Sequence, residues 1–248
     1  MKGIEKISII GDQDVQTRLG GLFSAAGLDI KADEDFHEEM GGTDFVFECL
    51  AVDKETRKQA WHRWQGFIRP DAVMATATPG ITIELAGLTA KPEKVIGLDF
   101  IFNPQDERKV FVQLMKGPGT SDKTTELCMG LMERIGVSAI IVEDTPGLVL
   151  DRPLACVINE AAIMYSTGIA SLEDIDRIPK LCLNWPMGPF EFADNIGMDK
   201  VLATLEALQA HYGPRFQPCD LLREMVAMNR LGVKAGRGFY SYSRSEEG

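Results

Sequence analysis

Apolar positions in the first half of the chain fall into short β-branched or aromatic runs: Ile7-Ser8-Ile9-Ile10, Asp29 to Ala32, Asp44 to Cys49, Val73 to Ala77, Lys94 to Leu98, Val110 to Leu114 and Ala139 to Val142. Between them lie stretches of helical spacing, one ending near Ala26-Gly27, the amphipathic Lys54 to Phe67, and Ser121 to about Ile135. This alternation predicts β-α-β units and a mainly parallel sheet covered by helices. After Asp144-Thr145-Pro146-Gly147 the strand pattern stops. Helical spacing then predicts helices over Val149 to Thr167, Ser171 to Leu181, Phe190 to Ile196, Asp199 to His211 and Leu221 to Arg230. Ser171-Leu-Glu-Asp174 reads as a capping box with Asp in place of Glu, and Asp199 as the cap of the next helix. The Pro146-Gly147 pair marks the boundary. The chain therefore reads as an α/β domain over residues 1–144 and an all-helical domain over 145–248, with a frayed tail from Ser243.

The composition excludes several classes of function. Lys plus Arg number 26 against 37 Asp plus Glu, and a net charge of -11 repels the phosphate backbone of nucleic acids. No apolar stretch approaches the roughly 20 residues of a membrane-spanning helix, and Met1 to Ile10 lead straight into a strand, so the expected setting is cytoplasmic and away from membranes. The five cysteines are scattered and never form Cys-x-x-Cys, which argues against a disulfide framework and against a metal site; they read as small buried hydrophobes. Trp61 and Trp64 read as the buried face of one helix, and Met115, Met129, Met132 and Met164 as core filling. His37, His62 and His211 read as surface or packing residues.

An ordered set of segments in the second half carries a resemblance: Glu143-Asp-Thr-Pro-Gly-Leu-Val149, Asn159-Glu-Ala161, Ser171 to Asp176, Pro186 to Asp194, Ile196 to Asp199, and Gly232-Val-Lys-Ala-Gly-Arg-Gly-Phe-Tyr240. In the first half it continues more loosely through Ile9 to Gly11, Phe23 to Gly27, Asp44 to Glu48, Glu84 to Ala86, Asn103-Pro104 and Gly117 to Thr124. Over nearly its whole length the chain resembles the 3-hydroxyacyl-CoA dehydrogenase family. The resemblance implies a Rossmann-like domain for NAD followed by a helical domain that forms a homodimer. It also implies NAD-dependent oxidation of a 3-hydroxyacyl-CoA to a 3-ketoacyl-CoA. An acyl-CoA is then the expected small-molecule partner.

The positions that carry the chemistry depart from that pattern. A dinucleotide turn wants Gly-x-Gly-x-x-Gly, so that the backbone can approach the pyrophosphate and the helix can approach the strand. Here the turn reads Gly11-Asp-Gln13-Asp-Val-Gln16, which places Asp12 and Asp14 where they can cap the helix amides and repel a diphosphate. Asp33 follows Gly11 by 22 residues, near the spacing of a ribose-binding acid, inside an acidic loop that reads as solvated. Between Asp33 and Phe45 the chain lacks the long helical excursion that the resemblance leads one to expect.

The family's catalytic histidine falls on Asp99 when counted forward from Gly97 and on Phe100 when counted back from Pro104, because the segment is one residue longer. The carboxylate that orients it matches Gln113, its serine falls near Thr78, and the asparagine beside Arg152 becomes Asp151. Loss of a general base alone costs about 10²- to 10⁴-fold in rate. The residues thus predict a family member with lost or strongly reduced activity. Two alternatives stay open: a divergent active enzyme with another base or substrate, and a non-catalytic binding or assembly subunit that partners an active homologue.

Overall fold

The β-branched and aromatic runs become strands because their side chains can be buried on both faces of a parallel sheet. The computed structural model describes residues 3–37, 42–103 and 106–242, and divides into two compact units, Met1–Thr145 and Pro146–Gly248. Pro104 and the tail from Ser243, named above, lie outside the described residues.

The first unit contains β1 (Lys6–Gly11), α1 (Gln13–Ala25), β2 (Asp29–Asp33), β3 (Phe45–Cys49), α2 (Lys54–Trp64), β4 (Val73–Thr76) and α3 (Thr82–Ala86). It continues with β5 (Val95–Asn103), β6 (Asp106–Lys116), α4 (Asp122–Arg134) and β7 (Ser138–Glu143). The seven strands run in the order β2-β1-β3-β4-β5-β6-β7. All neighbours are parallel except the β5–β6 hairpin, which is antiparallel. That hairpin runs well beyond the two short strands predicted there, and the short α3 had no clear periodic signal. One face of the sheet carries Ile7, Ile9, Phe47, Leu98 and Leu114 against α1 and α4. The opposite face carries Ile10, Val46 and Met74 against Trp61 and Trp64 of α2. Phe36, in the short connection after β2, packs its ring 5.7 Å from that of Trp64 and seals this second cluster.

The second unit is helical: α5 (Asp151–Ser166), α6 (Leu172–Cys182), α7 (Pro189–Ile196), α8 (Met198–Tyr212) and α9 (Asp220–Ala227). Its core gathers Ile158, Phe190, Met198, Leu205, Leu208 and Leu222. Ser171 caps α6 as predicted, accepting from the Asp174 amide at 3.1 Å. Asp199 does not cap α8. Gly197 holds that position, and Asp199 lies inside the first turn, where it pairs with Lys234. Two of the five cysteines, Cys49 and Cys128, are buried, whereas Cys182 is exposed at the end of α6 and corrects the reading of all five as core residues.

Candidate active site

The turn between β1 and α1 is closed by its own side chains. Gly11 adopts φ +123°, and a Cβ there would stand 2.6 Å from the backbone carbon of Cys49, so close packing of β1 on β3 alone demands glycine. Asp12 is the N-cap of α1, its Oδ1 accepting from the amides of Asp14 at 3.0 Å and Val15 at 3.1 Å. Asp14 does not cap; it pairs with Arg18 at 3.0 Å. Gln13 opens the helix as its first residue. Gln16 reaches back across the ends of the strands, its Nε2 donating to the carbonyls of Gly11 at 2.8 Å and Asp33 at 2.6 Å. The carboxylate of Asp33 lies half-exposed at the end of β2 and faces His37 at 3.3 Å. The hydrogen bond from the Asp35 amide holds it below the ordinary carboxylate value. Gly11, Gln16 and Asp33 are thus brought together, but through the glutamine amide and main-chain oxygens.

A second set of polar groups lies on the hairpin. Asp99 and Gln113 stand directly opposite each other in the β5–β6 register, and Gln113 Nε2 donates to Asp99 Oδ2 at 2.8 Å. Burial pushes the Asp99 carboxyl above its ordinary value, and the hydrogen bond from Gln113 pulls it part of the way back. Phe100 points to the other face, where its ring meets Phe23 and Phe47 in the core. The register is regular from Gly97 to Phe102 and shifts between Phe102 and Asn103, where an extra residue is accommodated without turning Asp99 over. Counting forward from Gly97 is therefore the count that yields a polar pair.

Thr78 sits just beyond β4, and its loop is fixed from both ends. Its amide donates to Thr76 Oγ1 at 3.1 Å, and that hydroxyl donates to Glu48 Oε2 at 2.8 Å. Further along, Asp144 accepts from the Gly80 and Thr82 amides and from Thr82 Oγ1, at 2.6, 2.8 and 2.6 Å. Glu48 is fully buried and also accepts from Arg57 Nε at 3.0 Å and from the Leu50 amide at 2.7 Å. Sequence reasoning did not single out Glu48. Its signal was a charge inside the otherwise apolar strand Phe45-Val-Phe-Glu-Cys49.

Asp151 belongs to the second unit, as the first residue of α5. Beside it, the Arg152 guanidinium lies over the rings of Tyr212, at 4.0 Å, and Phe216, which makes that arginine a packing residue. The glycine-rich turns of this unit pack closely on two buried carboxylates. Asp176 accepts from the Phe190 and Glu191 amides and from Tyr240 Oη. Asp194 accepts from the Phe239 and Tyr240 amides at 2.9 Å each and from Tyr242 Oη at 3.0 Å. A Cβ on Gly188 would collide with Asp176, and one on Gly238 with Asp194.

Comparison with known proteins decides the family. Residues 21–145 match the 3-hydroxyacyl-CoA dehydrogenase NAD binding domain, and residues 147–242 match the C-terminal domain of the same family. The chain belongs to the 3-hydroxyacyl-CoA dehydrogenase family. It is 36% identical to a 3-hydroxybutyryl-CoA dehydrogenase of Clostridioides difficile, over 84% of this chain and 74% of that one. It is 33% identical to the mitochondrial hydroxyacyl-coenzyme A dehydrogenase of Sus scrofa, over 94% and 72%. The crystal structure of (S)-3-hydroxybutyryl-CoA dehydrogenase PaaH1 from Ralstonia eutropha superposes with a TM-score of 0.88 at 28% identity, over 98% of this chain and all of that one.

In this member of the family the match to the NAD binding domain begins at residue 21, beyond the turn that Asp12 and Gln16 occupy. The residues of that turn do not fit a dinucleotide. The amides that would meet a pyrophosphate already hold a carboxylate, and the glutamine amide lies across the ends of β1 and β2. Among the described residues no group of His, Cys, Asp and Glu could hold a metal ion, and no helix is long and apolar enough to cross a membrane.

Proposed function

We propose that this chain is a 3-hydroxyacyl-CoA dehydrogenase-family protein that has lost the hydride-transfer reaction or runs it at a strongly reduced rate. On this reading it serves as a cytoplasmic binding or assembly subunit for acyl-CoA chemistry. The observation that carries the reading is the capping of α1 by Asp12, with Gln16 bonded to Gly11 and Asp33. A phosphate oxygen about 4 Å from an ionised carboxylate meets roughly 4 kcal/mol of repulsion at an effective dielectric constant near 20. That is about a thousandfold in affinity. Absence of an imidazole at Asp99 and of a carboxylate at Gln113 supports the same conclusion, since an ordinary Asp is too weak a base for an alcohol proton. Exposed Ile178, Leu181 and Leu183, on and just after α6, support a homodimer formed through the helical unit.

Calorimetric titration of the folded protein with NADH tests the proposal. A flat titration up to millimolar cofactor is the expected result. Saturable one-to-one binding in the micromolar range would overturn it. One specific observation favours a second reading, a divergent active dehydrogenase: burial raises the Asp99 carboxyl, and Gln113 holds it in a fixed orientation. In that case Asp99 would accept the hydroxyl proton of the substrate, and Asp99→Asn would abolish turnover.

A further inference from the structure

The two edges of the sheet are built differently. β2, at one end, reads Asp29-Ile-Lys-Ala-Asp33, with three charged residues in five, the usual way in which an edge strand is protected from pairing with another chain. β7, at the other end, reads Ser138-Ala-Ile-Ile-Val-Glu143 and, among the described residues, pairs only with β6. It has no lysine, proline or bulge, and Ile140 and Ile141 are 38% and 52% exposed on opposite faces of the sheet. A groove of about 660 Å³ lies between this strand and α4, floored by Met129, Met132, Val137, Ala139 and Ile141.

The rim of the groove is acidic. Asp122, Glu126, Met129 and Glu133 follow one another at spacings of four, three and four, which puts them on one stripe of α4 along the groove. Lys116, the cation of the groove, is taken up by Asp122 at 2.6 Å. The side chains of Glu126 and Glu133 are exposed and have no hydrogen-bonding or ionic partner among the described residues. A second copy pairing β7 on β7 would set these acids, and Glu143, against their own kind in a chain of net charge -11.

We propose that the free edge of β7 is a docking site for an extended, basic amphipathic segment of a partner protein, which adds to the sheet as an eighth strand. Main-chain hydrogen bonds to the outward N–H and C=O groups of β7 set its direction. Lysines or arginines at alternate positions lay their stems over Met129 and Ile141 and carry their charges to Glu126 and Glu133. The intervening positions are β-branched and lie beside Ile140 on the other face.

The test uses the full-length protein and a labelled twelve-residue peptide of alternating Lys and Val. A peptide of the same charge with Pro in place of Val cannot form a strand and serves as the control. Saturable binding of the first peptide is expected, at least tenfold tighter than that of the control, with amide hydrogens of residues 139–143 becoming protected from exchange. Glu126→Lys with Glu133→Lys, both at exposed positions, should weaken binding at least tenfold and leave the melting temperature unchanged. Equal binding of the two peptides, or protection absent from β7, would overturn the proposal. So would insensitivity to the charge reversal, or protection of β7 by dimerisation without peptide.

Discussion

The turns of the helical unit and the β1–α1 turn use carboxylates in opposite ways. In the helical unit, Asp176 and Asp194 are buried acceptors that hold main-chain turns together, and glycines stand where a side chain would displace them. At the β1–α1 turn of the first unit, Asp12 caps the helix from a partly exposed position. A residue that maintains its own fold is constrained by that fold whether or not any reaction takes place. A glycine that serves only a cofactor has no such constraint from the fold. Gly11, which the packing of β1 on β3 demands, is kept, while the positions of the other two turn glycines hold Gln13 and Gln16.

The comparison breaks if the two kinds of carboxylate prove equally dispensable. Asp194→Ala leaves the Phe239 and Tyr240 amides and the Tyr242 hydroxyl without their acceptor in a fully buried place. At about 1–3 kcal/mol for each orphaned group, with incomplete additivity, the cost is expected to be about 3 kcal/mol or more in urea unfolding. Asp12→Ala removes an N-cap from a half-open helix end and should cost only about 1 kcal/mol. Equal losses in the two variants would erase the distinction.

The sequence made the strands, the change to helices near Pro146 and the segment order of the second half legible, because burial period and turn chemistry are local. It made the site legible only in part. Asp12 as a cap followed from its place before a helical pattern, yet Asp14, two residues on, takes Arg18 instead, a choice set by which side chain reaches the amides first. Whether Asp99 or Phe100 faces Gln113 depended on where the hairpin absorbs an extra residue, which is a matter of cross-strand register. The contacts of Glu48, from Leu50 to Thr76, span three elements and have no local signature beyond a charge in an apolar strand.

Asp99 sharpens the contrast from the other side, as a partly buried carboxyl supported by a single amide side chain among the hydrogen bonds described. Its folded-state value is raised by burial, so its favourable contribution to stability is complete below the unfolded value near 3.9 and is lost as pH rises through the folded value. Asp99→Asn keeps an acceptor for Gln113 and removes the charge. The variant should melt at a higher temperature than the parent at neutral pH, and the difference should vanish below about pH 4. A variant that melts lower at neutral pH would show that the ionised carboxylate is held by more than burial allows.

The smallest expected effect is the most informative about the turn. Restoring glycine at both positions, Gln13→Gly with Gln16→Gly, rebuilds the fingerprint letters and removes the Gln16 bridge between Gly11 and Asp33. It leaves Asp12 on the Asp14 and Val15 amides, and it leaves Asp99 and Gln113 on the hairpin. A diphosphate would still meet a carboxylate where it needs free N–H groups, and no imidazole would be present to take the proton. Reduction of NAD by this variant with a 3-hydroxyacyl-CoA, followed at 340 nm, should stay at the blank rate. Measurable turnover would mean that the glutamines alone had closed the site, and that the carboxylate on the helix amides is compatible with the cofactor after all.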